Sequence, residues 1–162
     1  MGLSTSLLAC LLLTATPLGP GDHERRLKVD DLTRSYLVHV PPKLDLQQQV
    51  PVVLVFHGAG MNGPMMPRFC GMNATADAAG FVAVYPSGTG VGELFLVFNA
   101  AGTPEKPYGS RADDVKFTRL LLDDLGAVLR LDADRVYATG FSNGGMLCYR
   151  LAAELPDRIA AI

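Results

Sequence analysis

An α/β fold on a mostly parallel, doubly wound sheet is what this sequence predicts, and three observations carry the prediction. Two continuous apolar runs, Val52-Val53-Leu54-Val55-Phe56 and Phe81-Val82-Ala83-Val84-Tyr85, have the composition of strands buried on both faces. Helical patterns alternate with them. Residues 73–79 fit a helix closed by Gly80, and apolar residues recur at helical spacing from Val115 to Leu129. The third observation is Gly140-Phe141-Ser142-Asn143-Gly144, set between the strand-like Arg135-Val136-Tyr137-Ala138-Thr139 and the helical Met146–Glu154. Strand and helix in alternation place helices on both faces of a parallel sheet.

Taken in order, the chain opens with an apolar stretch from Leu3 to Thr16, followed by Pro17-Leu18-Gly19-Pro20-Gly21. That run is too short to span a bilayer and reads as a secretory signal peptide over residues 1–21. Small residues at Ala15, Gly19 or Gly21 offer cleavage points, although no Lys or Arg precedes Arg25. Leu7-Leu8-Ala9-Cys10 is similar to a lipobox, but the run before Cys10 is very short, so Cys10 reads as one more leader residue. The expected destination is outside the cytoplasm, secreted or periplasmic, without a lipid anchor. Residues 22–162 then read as part of a single domain. Arg34–Val40 has strand composition and closes at Pro41-Pro42, and residues 47–49 are a polar connection. Ser87–Tyr108 is a long excursion rich in glycine and proline. A helix is expected over Asp113–Arg130, and Arg158–Ile162 resembles the opening of a further buried strand.

The chemistry concentrates at two loops. G-x-S-x-G on a strand-to-helix turn is a nucleophile elbow, which makes the expected fold an α/β-hydrolase and Ser142 its nucleophile. A serine on so tight a turn sits on strained backbone, and Gly140 and Gly144 leave room for the strand and helix to meet. Acyl transfer develops negative charge on the substrate oxygen, and an amide aimed at that oxygen lowers the barrier by about 3 kcal/mol. The elbow offers the N–H of Asn143. The loop His57-Gly58-Ala59-Gly60 offers the second donor, assigned to Ala59 with Gly60 as its competitor. His57 is expected to brace this loop rather than act as a base.

No histidine follows Ser142; the three present are His23, His39 and His57. The triad order in this fold is Ser, Asp or Glu, then His. The sequence therefore reads as the N-terminal part of an enzyme, truncated at its C-terminus, lacking the triad Asp and His and inactive alone. Asp113-Asp114 precede the serine, and helix capping accounts for them better than catalysis or a metal. Cys70 and Cys148 read as free thiols, at no metal-ligand spacing.

With 162 residues, a net charge of −2 and 49% hydrophobic residues, the composition gives no electrostatic reason to expect nucleic acid or an anionic membrane. It fixes no oligomeric state.

The residues then carry a family resemblance. His57-Gly58-Ala59-Gly60, Ala76-Asp77 with Gly80-Phe81-Val82, Tyr85-Pro86-Ser87-Gly88-Thr89 and Phe98-Asn99-Ala100 form its first half. Asp113-Asp114-Val115, Asp134-Arg135-Val136-Tyr137, the elbow and Pro156-Asp157-Arg158 complete it. From Arg34 onward the chain resembles the secreted polyhydroxybutyrate depolymerase and feruloyl esterase group. The resemblance implies an exported serine esterase with a Ser-Asp-His triad, acting on small or polymeric esters and using no cofactor or metal. That group usually carries Trp where Phe98 stands. A prolyl-oligopeptidase-like peptidase shares the elbow, and a non-catalytic binding protein on the same fold is the alternative of a different class.

Overall fold

A computed structural model describes residues 16–92, 94–100 and 112–162. Most of the expected leader, with Cys10 and the cleavage point at Ala15, lies outside the described residues. So does most of the second half of the 87–108 excursion.

Seven strands and four helices appear among the described residues. The strands are β1 (Gly21–Val29), β2 (Leu32–Val40), β3 (Val50–Phe56), β4 (Val82–Pro86), β5 (Thr89–Val91), β6 (Phe95–Val97) and β7 (Leu131–Gly140). The helices are α1 (Met66–Cys70), α2 (Met72–Ala79), α3 (Asp114–Gly126) and α4 (Asn143–Glu154). The main sheet has the order β1-β2-β4-β3-β7. β4, β3 and β7 pair in parallel, whereas β2 pairs antiparallel with both β1 and β4. The sheet is therefore mixed at one side and parallel at the other.

Burial explains which strands were legible. Val52, Leu54 and Phe56 of β3 face one core with Val82, Val84, Val136 and Ala138, under Phe117, Leu121 and Leu125 of α3 and Leu147 and Leu151 of α4. Val55, Ala83 and Tyr85 point the other way, against Met66 of α1 and Ala76 of α2. A strand covered on both faces has no polar register, so it reads as an unbroken apolar run. β1 (GDHERRLKV) carries charge throughout, and its outer face is solvated, so it gave no such run. It is a strand because it pairs with β2 along its whole length, from Gly21 opposite Val40 to Val29 opposite Leu32. The turn between them is tight enough to place Asp30 at φ 53°.

Several boundaries differ from the sequence reading. α3 stops at Gly126, four residues short of the expected end, because Val128 and Leu129 turn back onto Leu125 and lead into β7. Cys70 is the last residue of α1 rather than part of a loop. The excursion after Ser87 contains the β5–β6 hairpin. Gly80 caps α2 in the left-handed conformation, as expected. At the far edge, Ala160 N–H donates to Val136 O at 2.8 Å and Ala138 N–H to Ala161 O at 3.1 Å. The last residues thus begin a parallel pairing with β7. The second face of the sheet is open here, where Pro51, Val53, Phe81 and Tyr137 line a shallow groove.

Polar ties hold the antiparallel side in place. Arg25 of β1 and Tyr36 of β2 both bond the Asp124 carboxylate on α3. His39 on β2 joins Asp22 of β1 at 2.6 Å and Asp77 of α2 at 3.0 Å. Burial opposes its charge, but the two carboxylates outweigh burial and raise its pKa above the usual imidazole value. Leu18 N–H donates to Val128 O, so the chain just before β1 is already pinned to the core.

Candidate active site

The expected elbow is built where β7 ends and α4 begins. Ser142 sits at φ 51°, ψ −114°, one of two non-glycine residues with positive φ among the described residues. Such a conformation costs about 1–3 kcal/mol and persists only where the surroundings enforce it. Its flanking glycines show how tightly they do. A Cβ on Gly140 would lie 2.4 Å from Gly144 C, and one on Gly144 would lie 2.4 Å from Phe56 O and 2.6 Å from His57 O. The end of β3 and the start of α4 therefore touch through Gly144, and Ser142 is left exposed above them. Gly144→Val is expected to destabilise the protein by upwards of about 3 kcal/mol, since both contacts are to backbone and neither can swing aside. The measurement is a denaturant melt with near-ultraviolet circular dichroism. A native-like melt would mean that β3 and α4 can separate at no cost.

The second loop leaves β3 toward the same end of the sheet. Gly60 adopts φ 81°, the left-handed region, and its N–H donates to Leu96 O at 2.9 Å. The amide of Gly60 is therefore taken. No hydrogen bond among the described residues uses the N–H of Ala59 or of Asn143. Gly58 lies against the Phe141 ring, where a Cβ would approach Cδ1 to 2.8 Å. Among the described residues the Asn143 and Ala59 amides are thus unused, as are those of their neighbours Ser142 and Gly58.

His57 is fully buried, and both ring nitrogens are engaged. Nδ1–H donates to Gly58 O at 2.7 Å, and Nε2 accepts from Gly88 N–H at 2.9 Å. An Nε2 that accepts carries no proton, so the ring is neutral. Burial, aided by the nearby Arg34 charge, holds its pKa below the usual value. A ring with no free nitrogen braces the loop and cannot take a proton from serine. His39 is held by two carboxylates, and His23 Nε2 bonds Gly19 O at 2.8 Å.

A layer that the sequence reading missed lies beneath the two loops. The Asn143 side chain, not only its amide, bonds Phe98: Oδ1 accepts from Phe98 N–H at 2.8 Å and Nδ2–H donates to Phe98 O at 3.1 Å. The Phe98 ring meets Phe56 edge-on at 5.4 Å and lies 4.4 Å from the His57 ring. Asn99 N–H donates to Asp114 Oδ2 at 2.6 Å, and Arg150 of α4 donates to Asn99 O at 2.5 Å.

Asp113 and Asp114, read together as helix-capping residues, divide. Asp113 caps α3, accepting from Lys116 N–H at 2.9 Å. Asp114 is instead a wholly buried partner of Arg34, at 2.6 Å, and Arg34 also donates to Ser87 O. The Arg34 guanidinium lies over the Phe117 ring at 4.0 Å, and its Nε and Nη1 have no hydrogen-bond partner among the described residues. Burial raises the Asp114 pKa against the pull of Arg34. No local pattern marks the links of Asp114 and of the Asn143 side chain, because their partners stand 15 to 80 residues away. Cys148 is a free, buried thiol whose pKa burial pushes up to about 12, and Cys70 is free and exposed. Cys148 is therefore not an activated nucleophile.

Comparison with known proteins shows the family and the fold. The family described as Esterase PHB depolymerase matches residues 34–162. The assigned esterase NocK of Nocardia uniformis subsp. tsuyamanensis is 40% identical over 139 residues, covering 85% of this chain and 39% of that protein. Feruloyl esterase B of Thermothelomyces thermophilus is 30% identical over 159 residues, covering 94% of this chain and 50% of its own length. The chain thus spans half or less of these relatives. Among solved structures, an S-formylglutathione hydrolase from Agrobacterium tumefaciens superimposes with a TM-score of 0.68 at 21% identity. That match covers 90% of this chain and 57% of the other, and it shows the shared α/β-hydrolase fold.

Proposed function

The chain belongs to the esterase PHB depolymerase family, and from that premise we propose that it is the N-terminal, nucleophile-bearing part of a serine carboxylic-ester hydrolase. The observation that supports this best is Ser142 on strained, glycine-flanked backbone, with the unused amides of Asn143 and Ala59 on the two loops that meet there.

In the proposed reaction Ser142 Oγ attacks the ester carbonyl carbon and loses its proton to a histidine. The carbonyl oxygen becomes an anion held by the Asn143 and Ala59 amides. The C–O bond to the alcohol breaks, and the histidine returns the proton to the departing oxygen. Water then cleaves the acyl-serine by the same steps. His23, His39 and His57 are all engaged elsewhere, so the base is a histidine outside these 162 residues, together with the acid that orients it. No step requires a metal or cofactor. The substrate is a small or polymeric ester, and the relatives named for feruloyl ester cleavage point to that class.

Export through residues 1–21 belongs to the same proposal. Gly21 already pairs with Val40, and Leu18 is bonded to Val128. Cleavage after Ala15 would leave both contacts intact, whereas cleavage after Gly21 would remove them.

A fluorophosphonate probe tests the nucleophile, because only an activated serine is phosphonylated readily. With the natural full-length product, peptide mapping is expected to place the label on Ser142 alone. A label on another serine would overturn the assignment.

A further inference from the structure

We propose that the Asn143 side chain is a positioning residue: by gripping the Phe98 backbone, it fixes the separation of the two oxyanion donors. The proposal rests on the esterase reading above.

Asn143 bonds Phe98 with both ends of its carboxamide, through Oδ1 to the N–H and through Nδ2–H to the C=O. This side chain does not cap its own helix. It is spent entirely on a residue 45 positions away. Two residues before Phe98, in the same extended segment, Leu96 O accepts the Gly60 N–H, and Met61 bridges to Leu96 as well. The segment Leu96–Val97–Phe98 is therefore bonded at one end to the neighbour of Ala59. At its other end it is bonded to Asn143 itself.

The segment is stiff for reasons visible around it. Phe98 is buried between Phe56 and His57, and His57 in turn holds Gly58 O. Asn99 is fixed by Asp114 from below and by Arg150 from α4. A cradle anchored at this many points sets a distance; a single surface tether would not. The need for such a gauge is chemical. Donors act when they lie about 2.7–3.1 Å from the developing oxyanion, and a displacement of about 1 Å costs on the order of 100-fold in rate. Ser142 is also strained, so without the clamp the first turn of α4 has a favourable direction in which to relax.

The test compares wild type, Asn143→Ala, Asn143→Leu and Asn143→Asp in the natural full-length product, on a short-chain nitrophenyl ester. Alanine and leucine are expected to lower kcat by about 10- to 100-fold while KM changes by no more than about threefold. Asn143→Asp keeps an acceptor for the Phe98 N–H but sets a carboxylate against the Phe98 carbonyl. Its rate relative to wild type is expected to rise as pH falls, since the protonated carboxyl regains a donor there. A tether that only stabilised the fold would lower activity in step with the folded fraction and leave that ratio flat with pH. Unchanged kcat in Asn143→Ala and Asn143→Leu, or a flat ratio for a folded Asn143→Asp, would overturn the proposal alone. An inactive wild type that also resists the fluorophosphonate would overturn the esterase reading, and this inference with it.

Discussion

Ester hydrolysis by the natural full-length product is expected to fall by roughly four to six orders of magnitude in Ser142→Ala, the usual cost of deleting a serine nucleophile. The fold should survive. The change removes one exposed oxygen and leaves the strained backbone as it was, so stability should move by no more than about 0.5 kcal/mol. Residual catalysis over water would come from the Asn143 and Ala59 amides, which the substitution does not touch. The 162 residues by themselves are expected to show no Ser142-dependent turnover, because every histidine among them is engaged away from the elbow. Rates with a nitrophenyl ester, alongside near-ultraviolet circular dichroism, decide both points. Undiminished hydrolysis by a folded Ser142→Ala would remove the serine from the mechanism. A clear Ser142-dependent rate from the isolated chain would show that one of its own histidines can serve as base.

A large effect on stability is expected at Asp114→Asn. The substitution preserves shape and an acceptor for the Asn99 N–H, but leaves the Arg34 cation buried without its counter-charge. Breaking a buried pair in this way costs about 3–5 kcal/mol, whereas an exposed pair is worth about 1 kcal/mol at most. For a chain of this length that corresponds to a fall of roughly 10 °C in Tm. Adding Arg34→Met should recover part of the loss, because the stranded charge goes with it. Thermal melts of the two single variants and the double variant form the cycle that reads this coupling. An Asp114→Asn loss below about 1 kcal/mol would mean that Arg34 finds solvent or another partner.

Much of this protein was legible because burial leaves a mark on sequence. β3 and β4 are covered on both faces and appear as unbroken apolar runs. The elbow could be read because its geometry tolerates so few residues: the 2.4 Å approaches at Gly140 and Gly144 admit no side chain. The His57 loop could be read for a related reason, a glycine required at φ 81°. Elements defined by a partner rather than by burial left no such mark. β1 is charged over most of its length, with only Leu27 and Val29 reaching the core, and exists through its pairing with β2. The β5–β6 hairpin is three residues on each side and mostly exposed.

By itself, then, the sequence determined the α/β class, the position of Ser142 and the two loops that flank it. All of these are local: each depends on the periodicity or conformational freedom of neighbouring residues. Only the tertiary structure decided that Gly60 spends its amide on Leu96 while Ala59 does not. It alone separated Asp113, a cap, from Asp114, a buried ion partner, and gave the Asn143 side chain its hold on Phe98. Those roles rest on hydrogen bonds between residues far apart in the chain. A donor or acceptor of that kind looks the same in sequence whether it meets water or a partner, and folding alone settles which.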